Sequence, residues 1–273
     1  LALSDIRQTA DDYLALAIRG SNPGTAIGRE LQASARAAFD QVAAQANSRY
    51  LGGHLFGGTM QDKVPMQDWN TVNPDTGESP ASVLAGIVTS VPTTVAEADA
   101  IIAEIDAIFE GTHPDPDANF EATFYNGATA ASGTRVEGRI DEGVEIAHGI
   151  QANDDGFRQL FKGLAMLATV DVSQIEGRGT YTRYMEAAVE AISAGSSLLL
   201  GAQSRLGSMQ ALVEDTIVMQ EDVIDVYSYR IVDIEAVDPY EAASRMELLT
   251  TQLEASYAVT ARLSRLSILN YLI

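Results

Sequence analysis

The chain has 273 residues, a formal net charge of −21 and no cysteine, and it is 46% hydrophobic and 20% charged. This length and composition allow a hydrophobic core and exclude an intrinsically disordered protein. The negative charge argues against nucleic acid and anionic membranes as partners, and the absence of cysteine excludes disulfides, thiol catalysis and iron–sulfur sites. No apolar run reaches the roughly 18 residues of a membrane-spanning helix. We therefore expect protein partners.

Two helices are predicted for the N-terminal segment, residues 1–52. The first ends at the helix-breaking sequence SNPG, residues 21–24. The second has small and apolar residues spaced by three and four, as in an amphipathic helix with one buried face: Leu31, Ala35, Ala38, Val42 and Ala46. Because the chain starts with leucine inside a helical pattern, we expect further residues to precede it in the natural protein.

Residues 53–152 are richer in glycine, proline, asparagine and aspartate and predict an inserted lobe with short strands. A helix is expected at residues 95–109, ended by Gly111. Three later segments alternate apolar and polar residues and predict strands: residues 120–127, 134–140 and 144–150. After the lobe, a new helix should begin at Asn153 or Asp154 and bury one apolar stripe: Phe157, Leu160, Phe161 and Leu164.

Residues 153–273 predict long C-terminal rod helices. Apolar residues occupy heptad positions for about four heptads, which is typical of a coiled-coil-like seam: Leu206, Val213, Ile217, Ile224, Tyr227, Ile231 and Ile234. One helix should cover residues 180–233. The sequence DPYE, residues 238–241, then supplies an N-cap aspartate, a proline at the first helical position and a glutamate for a final helix. We expect the seam to be buried against the helix at residues 31–46.

The C-terminal tail is apolar on all sides of the predicted helix. Such a pattern indicates an element that is covered from several directions. We therefore predict an assembly interface formed by Leu263, Leu266, Leu269, Tyr271 and Leu272. The expected fold class is α+β and mainly α: an elongated bundle of long helices from both ends of the chain, with a small inserted lobe containing strands.

The sequence contains few candidate motifs for metal binding or catalysis. The motif DPDANFE places Asp115, Asp117, Asn119 and Glu121 at the alternating positions of a calcium loop, but the glycine at position six and the glutamate at position twelve are absent. The three histidines, His54, His113 and His148, lack metalloenzyme spacing. No nucleophile elbow, dinucleotide fingerprint or phosphate loop occurs. We expect no enzyme activity, no cofactor and no metal.

The C-terminal region is similar to that of bacterial flagellins and the hook–filament junction protein family. The resemblance lies in LGSMQ, residues 206–210, and in the acidic turn of Asp233, Asp238, Glu241 and Ala242, where the family has a long rod helix, a turn and a terminal helix. The sequence LSILNYL, residues 266–272, is more similar to junction proteins than to filament flagellins. RYLGGHLFGGT, residues 49–59, is similar to a junction-protein stretch after the N-terminal rod helices, with residues 52–54 intervening.

The resemblance implies a structural subunit of the bacterial flagellum, most similar to hook-associated protein 3, which joins hook to filament. It also implies export through the flagellar secretion system without a cleaved signal peptide. The implied partners are copies of the same chain, hook-associated protein 1, flagellin and an export chaperone, and the tail would be buried among them. Filament flagellin remains an alternative. The seam alone also fits a coiled-coil adaptor or chaperone outside the flagellum.

Overall fold

The computed structural model describes residues 2–22, 28–129, 135–141, 143–147 and 149–265. The helices are α1 (Ala2–Gly20), α2 (Gly28–Ala46), α3 (Pro80–Ile87), α4 (Val95–Glu110), α5 (Asp155–Thr169), α6 (Arg178–Glu235) and α7 (Pro239–Arg265). Two antiparallel hairpins are formed by β1 (Arg49–Tyr50) with β2 (Gly53–His54), and by β3 (Glu137–Asp141) with β4 (Val144–Ala147). The mainly α fold with small strand-containing parts is confirmed.

The chain divides into two units, Leu1–Glu214 and Asp215–Ile273, and the boundary falls inside α6. The first unit contains the hydrophobic core. The second consists of the end of α6 and all of α7 among the described residues.

Helix α2 lies at the centre of the first unit, where it packs against α1 and α5. All five apolar residues predicted for its buried face are buried. The Phe39 ring lies with its centroid 4.8 Å from that of Phe161 on α5 and 5.2 Å from that of Trp69. The Tyr13 hydroxyl on α1 donates a hydrogen bond of 3.0 Å to the Leu31 carbonyl. The amphipathic pattern of residues 31–46 is therefore satisfied within this unit.

Helices α5 and α6 approach closely because glycines lie where they cross. A Cβ atom added to Gly163 would lie 2.5 Å from Cγ1 of Ile192 and 2.7 Å from the Ala188 carbonyl oxygen. A Cβ added to Gly195 would lie 2.6 Å from the backbone nitrogen of Leu160. The four predicted stripe residues of α5 are all buried, so the helix and its stripe are confirmed.

Helix α4 begins and ends as the sequence predicts. The Thr94 side chain accepts a hydrogen bond from the Glu97 backbone, and Gly111 adopts a left-handed conformation with φ 77° after the last turn. The Glu97 carboxylate accepts hydrogen bonds from the Thr93 backbone (2.8 Å) and hydroxyl (2.9 Å). These bonds lower the pKa of Glu97.

The predicted strand at residues 120–127 is wrong. Phe120–Phe124 form a short π-helix, and only Tyr125 makes an isolated bridge, with Met66. The helical turn brings Phe120 and Phe124 together, with ring centroids 5.7 Å apart, and both contact Phe109 at 5.3 Å. The aromatic residues thus form a buried cluster instead of one face of a sheet. The strands predicted at 134–140 and 144–150 are confirmed in their central parts, as β3 and β4.

Candidate assembly surface

The long helix predicted at residues 180–233 is confirmed as α6, but its heptad seam is open to solvent towards the C-terminus. Leu206 and Val213 are half-buried, whereas every described residue from 217 to 265 is exposed. The exposed fractions lie between 49% and 61% for the predicted seam residues Ile217, Ile224, Tyr227 and Ile231. Residues 217–231 belong to the second unit and residues 31–46 to the first, so the burial of these side chains against residues 31–46 stays a prediction.

Helix α2 has its own packing partners inside the first unit. Its apolar face is already covered by α1 and α5, as the contacts of Leu31 with Tyr13 and of Phe39 with Phe161 show. The apolar heptad residues lie on α6 as predicted, and those past residue 216 are exposed.

Helix α7 begins as predicted and buries none of its described residues. The Asp238 side chain accepts a hydrogen bond of 2.8 Å from the backbone of Tyr240, which caps the helix after Pro239. On its surface, Arg245 and Glu241 form an exposed ion pair of 2.7 Å. Large apolar side chains are nevertheless exposed along its whole length: Met246, Leu248, Leu249, Leu253, Tyr257, Val259 and Leu263.

The exposed part of α6 is strongly acidic as well as apolar. Residues 215–235 contain six carboxylates and the single arginine Arg230, a net charge of −5 (six minus one). The carboxylates are those of Asp215, Glu221, Asp222, Asp225, Asp233 and Glu235. We call this surface the α6 stripe: Ile217, Ile224, Tyr227 and Ile231 with the acids Glu221 and Asp225 beside them. Large apolar side chains exposed next to one another are typical of a protein contact.

Residues 184–272 match the family described as bacterial flagellin C-terminal helical region. The match covers about a third of the chain and supports a protein of the bacterial flagellin family. The matched region contains most of α6 and the whole of α7, the elements that carry the exposed apolar residues. No curated protein and no solved structure gives a match. This match supports a structural subunit of the flagellum that assembles with other flagellar subunits outside the cell.

The predicted interface at the C-terminal tail is described only at its first residue. Leu263 lies on α7 and is 64% exposed. The other four predicted residues, Leu266, Leu269, Tyr271 and Leu272, lie outside the described residues. Their role in assembly stays a prediction.

The acidic loop considered for calcium uses its oxygens for local structure. The Asp115 side chain accepts a hydrogen bond from the Asp117 backbone (3.1 Å), and the Asn119 side chain accepts one from the His113 backbone (3.0 Å). Glu121 points elsewhere and accepts a hydrogen bond of 2.6 Å from Asn153. Among the residues that the structure describes, no group of three or more acidic, histidine or cysteine side chains could hold a metal ion.

The histidines have structural surroundings where they are described. His54 is buried, and its Nδ1 lies 2.8 Å from the Asn47 carbonyl. His113 lies in the loop before a 3₁₀ turn formed by Pro116–Ala118, and its Nδ1 accepts a hydrogen bond of 3.2 Å from the Asp115 backbone. His148 lies outside the described residues. These contacts give His54 and His113 roles in local loop structure.

A groove of about 560 Å³ lies between the start of α5 and residues 198–209 of α6. Its main charged groups pair with each other: the Arg135 guanidinium binds the Asp154 carboxylate and donates a 2.7 Å hydrogen bond to the Gly149 carbonyl. The hydrogen bond to Asp154 raises the pKa of Arg135. The pair ties the β3–β4 hairpin region to the start of α5.

In the part of the chain that the structure covers, no helix is long and apolar enough to cross a membrane.

Proposed function

We propose that this flagellin-family chain is the hook–filament junction subunit, hook-associated protein 3. The observation that carries the proposal is the exposed apolar surface of residues 217–263, which lies in the region matched to the flagellin C-terminal family. Covering one isoleucine side chain completely contributes about 1.5–3 kcal/mol. A neighbouring subunit that covers the α6 stripe and α7 would therefore gain a large stabilisation on assembly.

Two sequence features support the junction over the filament. The sequence LSILNYL, residues 266–272, is more similar to junction proteins, and residues 49–59 are similar to a junction-protein stretch after the N-terminal helices. As a junction subunit it would contact copies of itself, hook-associated protein 1 on the hook side and flagellin on the filament side. An export chaperone would cover the apolar C-terminal helices before passage through the flagellar secretion channel.

The position of the protein along the flagellum tests this proposal. Antibodies raised against the purified chain, detected with gold particles by electron microscopy, should label one short zone between hook and filament. A strain that lacks the gene should make hooks without filaments and release flagellin into the medium, and the restored gene should reverse both effects.

Two other results would each contradict the proposal. Labelling along the full length of the filament would identify a filament flagellin. Absence of label from the flagellum, together with a soluble complex of fixed size, would identify a coiled-coil adaptor or chaperone instead.

A further inference from the structure

The link between Asn126 and Gly127 is chemically reactive. It is the only asparagine–glycine pair in the sequence. In such a pair the glycine nitrogen attacks the side-chain amide carbon of asparagine: a new N–C bond closes a cyclic imide, the bond to the side-chain nitrogen breaks, and ammonia leaves. Water then opens the imide to aspartate or isoaspartate. Because glycine has a flexible backbone and no Cβ to obstruct ring closure, Asn126 is the asparagine most prone to this deamidation.

The packing around position 127 requires glycine. A Cβ atom added to Gly127 would lie 2.2 Å from the hydroxyl oxygen of Tyr125 and 2.4 Å from its Cζ. Tyr125 is itself buried, and its hydroxyl donates a hydrogen bond of 3.2 Å to the Ala128 carbonyl. A larger residue, which would slow the reaction, cannot replace Gly127 unless this ring moves. The reactive link is therefore a consequence of the fold.

The Asn126 side chain belongs to a hydrogen-bond network around Asn73, which is 0% exposed. The Asn73 side chain donates to Oδ1 of Asn126 at 2.7 Å and to the Ala122 carbonyl at 2.9 Å. The Asn126 amide group donates to the Val64 carbonyl at 3.4 Å. An ionised aspartate in place of Asn126 would keep the acceptor but lose the donor, and it would bring a negative charge next to a carbonyl oxygen. The network therefore fits the amide and not its product.

Hydrogen bonds also hold the backbone on both sides of the link. The N–H of Asn126 donates to the Pro65 carbonyl at 2.8 Å, and the N–H of Ala128 donates to the Gly57 carbonyl at 2.9 Å. Ring closure requires the Gly127 nitrogen to reach the side-chain carbon of Asn126, which requires rotation of this backbone and of the Asn126 side chain. The folded chain resists the reaction, because that rotation would break these bonds.

We propose that Asn126 is a deamidation site that the fold suppresses and that the unfolded chain exposes. Modification would then impair folding of the region around Asn73, since aspartate lacks the amide donor and isoaspartate also lengthens the backbone by a carbon atom. Chains that stay unfolded for long would thus lose the ability to complete this part of the structure. The inference concerns the fold of a single chain and goes beyond the proposed function, so the place of the protein in the flagellum does not affect it.

Deamidation of the full chain, folded and unfolded in urea, tests the suppression. Both samples would be kept at the same mildly alkaline pH in water enriched with oxygen-18, which marks every ring that opens during the incubation. Mass spectrometry of the peptide that contains position 126 would follow the conversion. We expect it to be at least tenfold slower in the folded chain. Equal rates in the two samples would overturn the inference.

Gly127→Ala in urea tests whether the reaction takes place at this link. Both the variant and the native chain are unfolded there, so the clash with Tyr125 has no effect on the comparison. The added Cβ should slow the conversion of Asn126 severalfold, because it obstructs ring closure. An unchanged rate in Gly127→Ala would contradict attack by the Gly127 nitrogen.

A matched pair of substitutions tests the effect of the product on the fold. Asn126→Asp and Gln41→Glu each replace an amide by a carboxylate, and Gln41 is exposed on α2. In urea unfolding followed by circular dichroism, Asn126→Asp should have a lower transition midpoint than the native chain or fail to fold. Gln41→Glu should unfold close to the native midpoint. A native midpoint in Asn126→Asp would overturn the claim that deamidation impairs the fold.

Discussion

A single substitution made twice on helix α6 tests whether the α6 stripe is uncovered in the isolated chain. Ile192 and Ile224 lie on the same helix, but Ile192 is fully buried and Ile224 is 61% exposed. Ile192→Ala and Ile224→Ala remove the same atoms and give the same increase in helix propensity. The difference between their effects on unfolding therefore measures the environment of each side chain.

The expected magnitudes are well separated. A buried isoleucine-to-alanine change costs about 2–5 kcal/mol, because apolar contacts are lost and a cavity remains. At position 224 less than half of the side chain is covered, so the loss should be at most about 1 kcal/mol of the 1.5–3 kcal/mol for full burial. The better helix propensity of alanine returns up to about 0.7 kcal/mol of that. Ile224→Ala should therefore unfold within about 0.5 kcal/mol of the native chain.

Urea unfolding followed by tryptophan fluorescence provides the assay. The chain has one tryptophan, Trp69, which is buried against Phe39 of α2. Trp69 therefore reports on the region where the stripe would lie if it packed on residues 31–46. We expect a lower transition midpoint for Ile192→Ala and an unchanged one for Ile224→Ala. A loss of 2 kcal/mol or more in Ile224→Ala would refute the exposed stripe.

Three further predictions concern close packing, pH and the tail. Gly163→Ala should lower the melting temperature, because the added Cβ would lie 2.5 Å from Cγ1 of Ile192 on α6. Gly207→Ala should raise the melting temperature slightly, because the space around Gly207 is open and alanine favours the helix. The reverse order of melting temperatures in thermal scans would contradict the close crossing of α5 and α6. The pKa of Glu97 is lowered in the folded chain by hydrogen bonds from Thr93, so its contribution is present above its unfolded pKa and is lost as pH falls through the folded pKa. Glu97→Gln should therefore reduce stability in urea at pH 7 and differ little from the native chain at pH 3; an equal difference at both pH values would argue against this role. Deletion of residues 263–273 should leave thermal unfolding nearly unchanged and abolish incorporation at the hook tip, whereas a deletion that unfolds the chain would make the tail part of its core.

The helices of the core could be predicted because sequence spacing and local chemistry agree. The five small and apolar residues of α2 and the stripe of α5 are buried as expected. Gly111 ends α4, and Asp238 caps α7. The strand predicted at residues 120–127 is wrong because alternation over a few aromatic residues also fits one helical turn. There the packing of Phe120 and Phe124 against Phe109 decides the conformation.

The candidate site could be predicted only in part. The heptad spacing located the α6 stripe, and the sequence around residue 239 located the start of α7. Periodicity shows that a face is apolar, but it does not show whether the same chain or another covers it. The positive φ angle of Leu51 was not predicted, since it has no sequence signal beyond the adjacent glycines. The burial of a helix face and the backbone angles of a turn depend on long-range packing, which the residue pattern does not contain.

The accessibility of position 224 before and after assembly tests most directly whether the exposed stripe is an assembly surface. Ile224→Cys introduces a single thiol into a chain without cysteine. A maleimide reagent should label this thiol rapidly in the purified subunit, because the side chain it replaces is 61% exposed. In flagella isolated from cells that make only this variant, we expect labelling to fall at least tenfold and to recover when the flagella are dissociated. Equal labelling of intact flagella and free subunits would contradict the account.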